Sequence, residues 1–227
     1  MEPMVVCALR RVLLLATLVL LAACHEQVGV GACFEPNARP YNFDLAGDTN
    51  FVFHWPSQYM PVRVYAEPNG DLPANVQAAM QLWVGAFRCG ELSLTTATDS
   101  THADIIVRNP LSLPAAVRTT RVMYADSVGA CHGVTHFDLD SAGTSLAGPM
   151  RSYVAPFPGA DSASVANCYH FVTAHELGHA LGILSHSPNP ADLMYAAPVH
   201  RLLTESDRYT IQLLYHTPSK LGPPPRR

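Results

Sequence analysis

The sequence contains little charge and almost no lysine. Only 14% of its 227 residues are charged, the formal net charge is −4, and Lys220 is the single lysine. A surface that binds nucleic acid needs clustered cationic side chains to meet the phosphates. The sequence has no such basic stripe, so we expect no nucleic acid among its partners. It also lacks internal repeats and any Cys-x-x-Cys pair, which argues against a zinc site built from cysteine.

One long apolar run, Val12 to Leu21, lies near the N-terminus. It is too short to span a bilayer comfortably, two arginines precede it and small residues end it, a combination typical of a secretory signal. The ending Leu21-Ala22-Ala23-Cys24 resembles the bacterial lipobox, whose cysteine is acylated and becomes the first residue of the exported protein. We therefore expect residues 1–23 to be a signal peptide and Cys24 to carry a lipid. The alternative is a plain signal cleaved nearby, with Cys24 incidental.

A lipid on Cys24 implies an exported bacterial lipoprotein that its acyl chain holds at the membrane of the cell envelope. His25 is not the aspartate that marks retention in the inner membrane, so the outer membrane or a periplasm-facing position is favoured, with an extracellular location as the other possibility. Residues 24–227 are long enough for one domain with a real hydrophobic core. We expect this domain to be a monomer.

Four cysteines remain once Cys24 and the cysteine of the signal are set aside. They are Cys33, Cys89, Cys131 and Cys168. An even number of cysteines in an exported protein predicts two disulfides. Three connectivities are possible, and we expect the one that pairs neighbours in the sequence, Cys33–Cys89 and Cys131–Cys168.

Hydrophobic periodicity divides the rest of the chain into a tether, one domain and a tail. Residues 24–60 show few periodic signals and are expected to form a tether and a loosely structured arm, whereas residues 218–227 are expected to be disordered. The domain, residues 61–217, carries five predicted strands and three predicted helices. The strands are 61–67, 91–96, 103–107, 134–139 and 144–154, and the helices are 74–87, one from Asp161 or Ser162 to Gly182, and a last helix from Thr204. This order predicts an α+β fold with a helix packed on a small twisted mixed sheet.

The pattern His-Glu-x-x-His lies on the second of these helices, formed by His175, Glu176 and His179. Histidines four residues apart lie one above the other on a helix face, so both imidazoles can reach one metal ion, and the glutamate can act on a water there. The other interpretation is a histidine pair on a solvated helix face. So specific a pentapeptide arises by chance in fewer than ~1% of chains of this length, which favours the metal site.

The residues that follow extend this pattern. Gly182 is positioned to end the helix in a left-handed turn, His186 follows as a third candidate ligand, and Met194 comes eight residues later in a Leu-Met-Tyr segment. From Val172 to Tyr195 the chain resembles the metzincin zinc peptidases, most closely the matrixin branch with its H-E-x-G-H-A-L-G-L-x-H-S and L-M-Y segments. The third family histidine aligns with Ser185, and a one-residue insertion after Gly182 restores the match at His186. If the turn cannot absorb that insertion, only two histidines remain.

The resemblance implies a metzincin-like zinc peptidase domain with a long active-site helix, a Met-turn and a C-terminal helix. It assigns one catalytic zinc ion to His175, His179 and His186. It further assigns the role of general base to Glu176 and a supporting position beneath the metal to Met194.

Three weaker signals receive other interpretations. His132 and His136 faintly resemble the second metal region of matrixins, but most of the other ligands are absent, so a second structural metal is not expected. Cys89 lies in an Arg-Cys-Gly sequence that imitates the inhibitory cysteine switch of the family, and its position at the end of a predicted core helix favours a disulfide. Tyr195 directly follows the Met-turn methionine and is interpreted as structural rather than as a group that binds an oxyanion.

The function that these residues predict is a zinc-dependent endopeptidase of the bacterial envelope. Its protein or peptide substrate is expected to lie extended along a sheet edge, for which the strand within 144–154 is the candidate, with residues 196–198 walling the pocket. Two alternatives remain open, a zinc amide hydrolase that cuts peptidoglycan stem peptides and a zinc-binding module without activity. The intact Glu176 argues against the module, since a binding protein has no use for a general base.

Overall fold

A computed structural model of the chain describes residues 39–45, 48–110, 120–122, 126–128 and 130–226. All of them belong to one compact unit, Phe34–Arg227. The predicted signal peptide, Cys24 and Cys33 lie outside the described residues, so the expectations for them stay predictions. Among the helices that the structure describes, none is long and apolar enough to cross a membrane.

The described residues form three α-helices and seven β-strands. The helices are α1 (Leu72–Val84), α2 (Ser162–Ala180) and α3 (Glu205–Tyr215), and the strands are β1 (Val62–Ala66), β2 (Leu94–Thr96), β3 (Ile105–Arg108), β4 (Thr120–Val122), β5 (Asp126–Val128), β6 (Cys131–Asp138) and β7 (Met150–Pro156). Each predicted helix and strand has a counterpart, although the strand expected from residue 144 begins only at Met150. The predicted α+β fold is confirmed.

All seven strands belong to one mixed sheet. Its order is β2-β1-β3-β7-β6-β4, and β5 also pairs with β6. The first four strands in this order run parallel, whereas β6 is antiparallel to β7. The expectation that the strand within 144–154 forms the sheet edge is wrong, because β7 lies between β3 and β6. Alternation of polar and apolar residues predicts which face of a strand is buried, but it does not show how many neighbours the strand has.

Strands β4 and β5 pair with the side of β6 that faces away from β7. Val122 pairs with His136 and Asp126 pairs with Gly133, so the register moves by one residue between the two pairings. The sequence did not predict these strands, because each is only three residues long and neither carries an alternation long enough to indicate a strand. The outer edge of β6 is therefore paired within the chain near both of its ends.

The motif helix lies between the sheet and α1. Helix α2 packs against β6 and β7 on one side and against α1 on the other. The buried residues of α1 include Val76, Met80 and Trp83, which recur at helical spacing as predicted. Trp83 is fully buried, and its indole nitrogen donates a hydrogen bond of 2.8 Å to the carbonyl oxygen of Ala174 in α2. This bond fixes α1 against the helix that carries the motif.

Residues that precede β1 contribute to the core. Phe53 and Trp55 are 0% and 1% exposed and pack edge to face. The indole nitrogen of Trp55 donates a hydrogen bond of 2.9 Å to the carbonyl oxygen of Ala180, which is one of the last carbonyls of α2 and has no partner within the helix. The folded domain therefore starts before residue 61, and the tether predicted over 24–60 includes core residues. Isolated aromatic anchors in an irregular segment leave no periodic signal, which is why the sequence missed them.

The segment after α3, for which the sequence predicts disorder, lies against the domain. The backbone N–H of Lys220 donates to the carbonyl oxygen of Val52 at 2.8 Å, and that of Gly222 donates to Thr144 at 2.8 Å. Leu221 between them is buried. These backbone hydrogen bonds order a segment whose own sequence, rich in proline, has no helix or strand pattern.

An ion cluster fixes the end of this segment. The carboxylate of Asp104, which is 2% exposed, lies 2.9 Å from the guanidinium of Arg63 and 2.9 Å from that of Arg226. The Arg226 guanidinium also stacks over the ring of Tyr59 at 4.4 Å. A buried carboxylate requires such partners, because an unpaired buried charge is strongly destabilising.

Candidate metal centre

Helix α2 carries His175, Glu176 and His179 into the middle of the domain. Asp161 is its N-cap, and the side chain of this residue accepts the backbone N–H of Ser164 at 2.9 Å. Both histidines are fully buried, and their ring centroids lie 4.6 Å apart. The spacing of four residues therefore places the two imidazoles side by side on one helix face.

The chain reverses direction at Gly182, just after α2. Gly182 has a φ of +118°, which side chains rarely adopt, and a Cβ there would lie 2.1 Å from the carbonyl oxygen of Phe53. The reversal brings the ring of His186 to within 5.4 Å of the His175 ring and 5.1 Å of the His179 ring, measured between centroids. The candidate ligand nitrogens of the three histidines lie within 4.8 Å of one another.

Two of these imidazoles are oriented by backbone carbonyl groups. Nδ1 of His175 donates to the carbonyl oxygen of Leu193 at 2.7 Å, and Nδ1 of His179 donates to that of Ile183 at 2.6 Å. A carbonyl oxygen can only accept, so each Nδ1 carries the proton and each Nε2 carries the lone pair. This is the arrangement by which a protein prepares histidine as a metal ligand.

The extra residue in the turn before His186 is accommodated by the N-terminal arm. The backbone N–H of Leu184 donates to the carbonyl oxygen of Phe43 at 2.8 Å, and the hydroxyl of Ser185 donates to that of Asp44. Ser185 thus points to the arm, and His186 is the residue that joins the other two imidazoles. The turn absorbs the insertion because the arm supplies the acceptors that the extra residue needs.

Met194 lies directly beneath α2. Its side chain is fully buried, and a Cβ on Gly178 would lie 2.5 Å from its sulfur atom and 2.5 Å from the ring of Trp83. Only glycine fits at this point of the motif, because the helix backbone, the methionine and the indole meet there. The methionine therefore packs against the helix segment between the two histidines.

The carboxylate of Asp207 holds the turn that contains Met194. It accepts the backbone N–H of Leu193 at 2.9 Å, that of Met194 at 3.3 Å and the hydroxyl of Tyr41 at 2.7 Å. Burial, together with the neighbouring Asp207 carboxylate, raises the pKa of Tyr41, which therefore stays a hydroxyl donor. The spacing of Thr204 and Asp207 is also typical of a capping box, and the structure contains one at the start of α3. The role of Asp207 in holding the turn that contains Met194 depends on tertiary contacts, which no local sequence pattern indicates.

A family model of the matrixins matches residues 67–216, well over half of the chain. The chain belongs to the matrixin family. It is therefore a zinc metallopeptidase, as the resemblance of the motif predicts. Among solved structures it is similar to high choriolytic enzyme 1, a hatching enzyme zinc-protease from the medaka fish Oryzias latipes, with 12% sequence identity, a TM-score of 0.40 and coverage of 74% of this chain and 96% of that one. No curated protein sequence matches the chain.

The glutamate of the matrixin motif faces the sheet. Glu176 is fully buried, and its carboxylate accepts a hydrogen bond of 2.6 Å from the hydroxyl of Thr135 in β6. The sequence did not single out Thr135, because a threonine in a strand has an ordinary structural explanation. Only the packing of α2 on β6 brings the two side chains together.

A disulfide joins β6 to α2 near the matrixin site. Cys131, the first residue of β6, is bonded to Cys168, which lies two helical turns before His175, and their Cα atoms are 6.0 Å apart. This confirms one of the two expected pairs. Cys89 is also disulfide-bonded. Its expected partner, Cys33, lies outside the described residues, so that pairing stays a prediction.

His132 and His136, which were considered above as ligands of a second metal, do not join the cluster of three histidines. The ring of His132 stacks on Phe157 with 4.6 Å between centroids, and the ring of His136 packs on Tyr153 at 5.4 Å. Burial lowers the pKa of both histidines, and the positive charge of Arg151 adds to this for His136. Both imidazoles thus favour the neutral form within an aromatic environment.

A cavity of about 410 Å³ lies beside the first half of α2. It is lined by Ala130, Ala160, Asp161, Ser164, Asn167, Cys168 and Phe171. Phe171 and Cys168 precede His175 by four and seven residues, so they lie on the same helix face as that histidine. The guanidinium of Arg201 covers the ring of Phe171 at 5.3 Å and donates to the side chain of Asn167. The residues expected to wall the pocket, 196–198, belong to the segment between Met194 and this arginine.

Proposed function

We propose that this matrixin is an endopeptidase in which His175, His179 and His186 bind one zinc ion and Glu176 acts as general base. The observation that supports this best is the convergence of three imidazoles whose candidate ligand nitrogens lie within 4.8 Å of one another. The donor set fits zinc, which accepts three neutral imidazoles and keeps a fourth position for water or substrate. When bound, zinc lowers the pKa of water and polarises the carbonyl group of the scissile peptide bond.

Two hydrogen bonds to backbone carbonyl groups orient the candidate ligands His175 and His179. The bonds from His175 to Leu193 and from His179 to Ile183 select the tautomer and fix the ring planes. Loss of a hydrogen bond of this kind to a metal-binding histidine commonly lowers metal affinity or activity by roughly 10- to 100-fold. The same two carbonyl groups belong to the Met-turn and to the turn before His186. Binding of the metal is thereby linked to both turns.

The proton transfers of the reaction fall to Glu176. Its carboxylate accepts a proton from the attacking water and passes it to the departing amine. Glu176 follows His175 directly and is completely buried, so the proton is exchanged away from bulk solvent. Replacement by glutamine keeps the size and hydrogen bonding of the side chain but removes its ability to act as a base.

The cavity beside the first half of α2 is proposed to receive a substrate side chain. Its lining combines the ring of Phe171 with the carboxylate of Asp161. The guanidinium of Arg201 covers Phe171 and donates to the side chain of Asn167, two of the lining residues. We expect the substrate to bind in an extended form.

Export as a lipoprotein anchored through Cys24 is part of this proposal. The disulfide between Cys131 and Cys168, together with the bonded state of Cys89, supports a location outside the cytoplasm, because such bonds form and persist in oxidising compartments. Mass spectrometry of the membrane fraction tests the anchor. A diacylated N-terminal peptide that begins at residue 24 is the expected result, and an unmodified N-terminus elsewhere contradicts the anchor.

The activity is tested by measuring zinc content and peptide cleavage in one preparation, for the wild-type protein and for Glu176→Gln. Equimolar zinc in both proteins, with cleavage of internal peptide bonds only by the wild type, is the expected result. Absence of zinc from the wild type contradicts the three-histidine site. Release of peptides from purified cell wall, with no cleavage of casein or a peptide library, contradicts a general endopeptidase.

A further inference from the structure

We propose that Thr135, supported by Ser152, is a positioning residue that fixes the carboxylate of Glu176 for its role as base. The inference rests on the proposed function of Glu176 and deepens it. Three buried side chains carry the inference, and they come from three different elements: β6, β7 and α2. Each of them is 0% exposed.

Thr135 and Ser152 form a cross-strand pair. They are opposite one another in the register of β6 and β7, and their hydroxyl oxygens lie 2.9 Å apart. Both side chains point to the face of the sheet on which α2 packs. Direct pairing of this kind places one hydroxyl within bonding distance of the other and limits the rotation of both.

The hydroxyl of Thr135 has one proton, and the short contact to Glu176 shows where it goes. Its oxygen is 2.6 Å from Oε2 of Glu176, the length of a bond between a hydroxyl and a charged carboxylate. Thr135 therefore donates to Glu176 and can accept the proton of Ser152. The oxygens of both hydroxyls also lie near the backbone carbonyl oxygen of Glu176, at 3.1 and 3.3 Å. The pair thus contacts both the side chain and the backbone of the glutamate.

Gly133 leaves the space that this carboxylate occupies. A Cβ on Gly133 would lie 2.2 Å from Oε1 and 2.7 Å from Cδ of Glu176. Gly133 and Thr135 are two residues apart in β6, so they present to the same face of the sheet. Gly133 leaves the space for Oε1, and Thr135 donates a hydrogen bond to Oε2. The strand thus limits the position of the carboxylate at both oxygens.

A purely structural role does not require these residue types. A buried hydroxyl loses its hydration, which costs free energy unless hydrogen bonds replace it, and valine has nearly the same shape as threonine without that cost. The hydroxyl pair is placed where it satisfies a buried carboxylate and restrains its rotation. Displacing a reacting group by even 1 Å can cost about 100-fold in rate, so such restraint matters for a base.

The test compares Thr135→Val with Thr135→Ser, measuring kcat, KM, zinc content and thermal midpoint in the purified protein. Valine is expected to lower kcat by roughly 10- to 100-fold, with KM within about twofold and zinc still equimolar. Thr135→Ser, which keeps the hydroxyl, is expected to retain a kcat within about threefold of the wild type. The matched control is Thr173→Val, since Thr173 is a buried threonine of α2 whose hydroxyl has no hydrogen-bond partner among the described residues. That control is expected to leave kcat unchanged.

A second measurement does not depend on zinc or turnover. Unfolding of the metal-free protein by urea, for Thr135→Val, Glu176→Ala and the double variant, measures whether the two side chains interact. Non-additive effects are expected, whereas strict additivity overturns the proposal. A wild-type kcat for Thr135→Val, or equal losses for the valine and serine variants, also overturns it. If Glu176→Gln retains turnover, the assignment of Glu176 as general base is wrong.

Discussion

The α-carbon of Gly178 faces the sulfur of Met194 so closely that a Cβ on the glycine would lie 2.5 Å from it. The motif helix and the Met-turn therefore meet without a side chain between them. The contact lies within the segment that joins His175 to His179. Any group added at Gly178 has to push the turn away from the helix, because Trp83 blocks the space beside it.

The first prediction is that Gly178→Ala weakens both zinc binding and folding. Overpacking of a tight core by one carbon commonly costs about 1–3 kcal/mol. Displacement of the Met-turn also moves the Leu193 carbonyl that orients His175, so zinc affinity is expected to fall about tenfold or more. Chelator competition and urea unfolding measure the two effects. Gly148→Ala is the control, because a Cβ there meets no atom within 4 Å. Equal affinities for the two variants contradict the prediction.

The second prediction separates the roles of Ser185 and His186. Ser185→Ala removes the hydrogen bond to the carbonyl of Asp44, which is worth about 1 kcal/mol, so zinc affinity is expected to fall by roughly fivefold. His186→Ala removes a ligand and is expected to abolish tight binding. Both are measured by competition with a chromophoric chelator. If the serine variant loses zinc and the histidine variant keeps it, the assignment of the third ligand is wrong.

The sequence predicted the parts of the site that depend on local spacing. The histidines of α2, the turn at Gly182 and the buried Met194 all follow from residue types and their intervals, because a helix fixes the positions of neighbours along one face. The motif also identifies the family, since each of its residues has a chemical reason to be there. This part of the prediction needed no knowledge of the rest of the fold.

The parts that the sequence did not predict depend on contacts between distant segments. Tyr41 reaches Asp207 across 166 positions, and Thr135 reaches Glu176 across 41. Periodicity reports burial of a face but not the identity of the residue that covers it. The same limit explains why β7 was expected at the edge of the sheet. Irregular segments that carry single anchors, such as Trp55, fall outside what such patterns detect.

The third prediction concerns the disulfide between Cys131 and Cys168. The two residues are 37 positions apart, and closing a loop of that length stabilises a fold by about 4 kcal/mol in the chain-entropy description. The double replacement by serine is therefore expected to lower the free energy of unfolding by roughly 2–4 kcal/mol. Because β6 also carries Thr135, kcat is expected to fall while zinc content stays equimolar. Urea unfolding and kinetics check this, and a variant with wild-type stability contradicts it.

The fourth prediction is a pH dependence set by Asp104. Burial alone raises the pKa of this carboxyl, but hydrogen bonds from Arg63 and Arg226 outweigh it, and the pKa lies below its usual range in the folded protein. A group with a lowered pKa stabilises the fold above its unfolded pKa of about 3.9, and this stabilisation is lost as the pH falls through the folded value. Acid should therefore weaken the attachment of the C-terminal segment.

The measurement is the free energy of unfolding of the wild type and of Asp104→Asn between neutral and acid pH. Hydrogen bonds to a charged group are worth about 1.5–3 kcal/mol each, so the asparagine variant is expected to be less stable by at least about 1.5 kcal/mol at pH 7. The difference should begin to shrink as the pH falls below the unfolded pKa of about 4, and it should disappear only below the lowered folded pKa, where both proteins carry a neutral group at this position. Asp99→Asn is the comparison variant, since the side chain of that aspartate is 48% exposed and accepts a hydrogen bond from Thr101 in its own turn. A difference for Asp104→Asn that stays constant with pH contradicts the role of charge and leaves only the shape of the side chain to explain the loss.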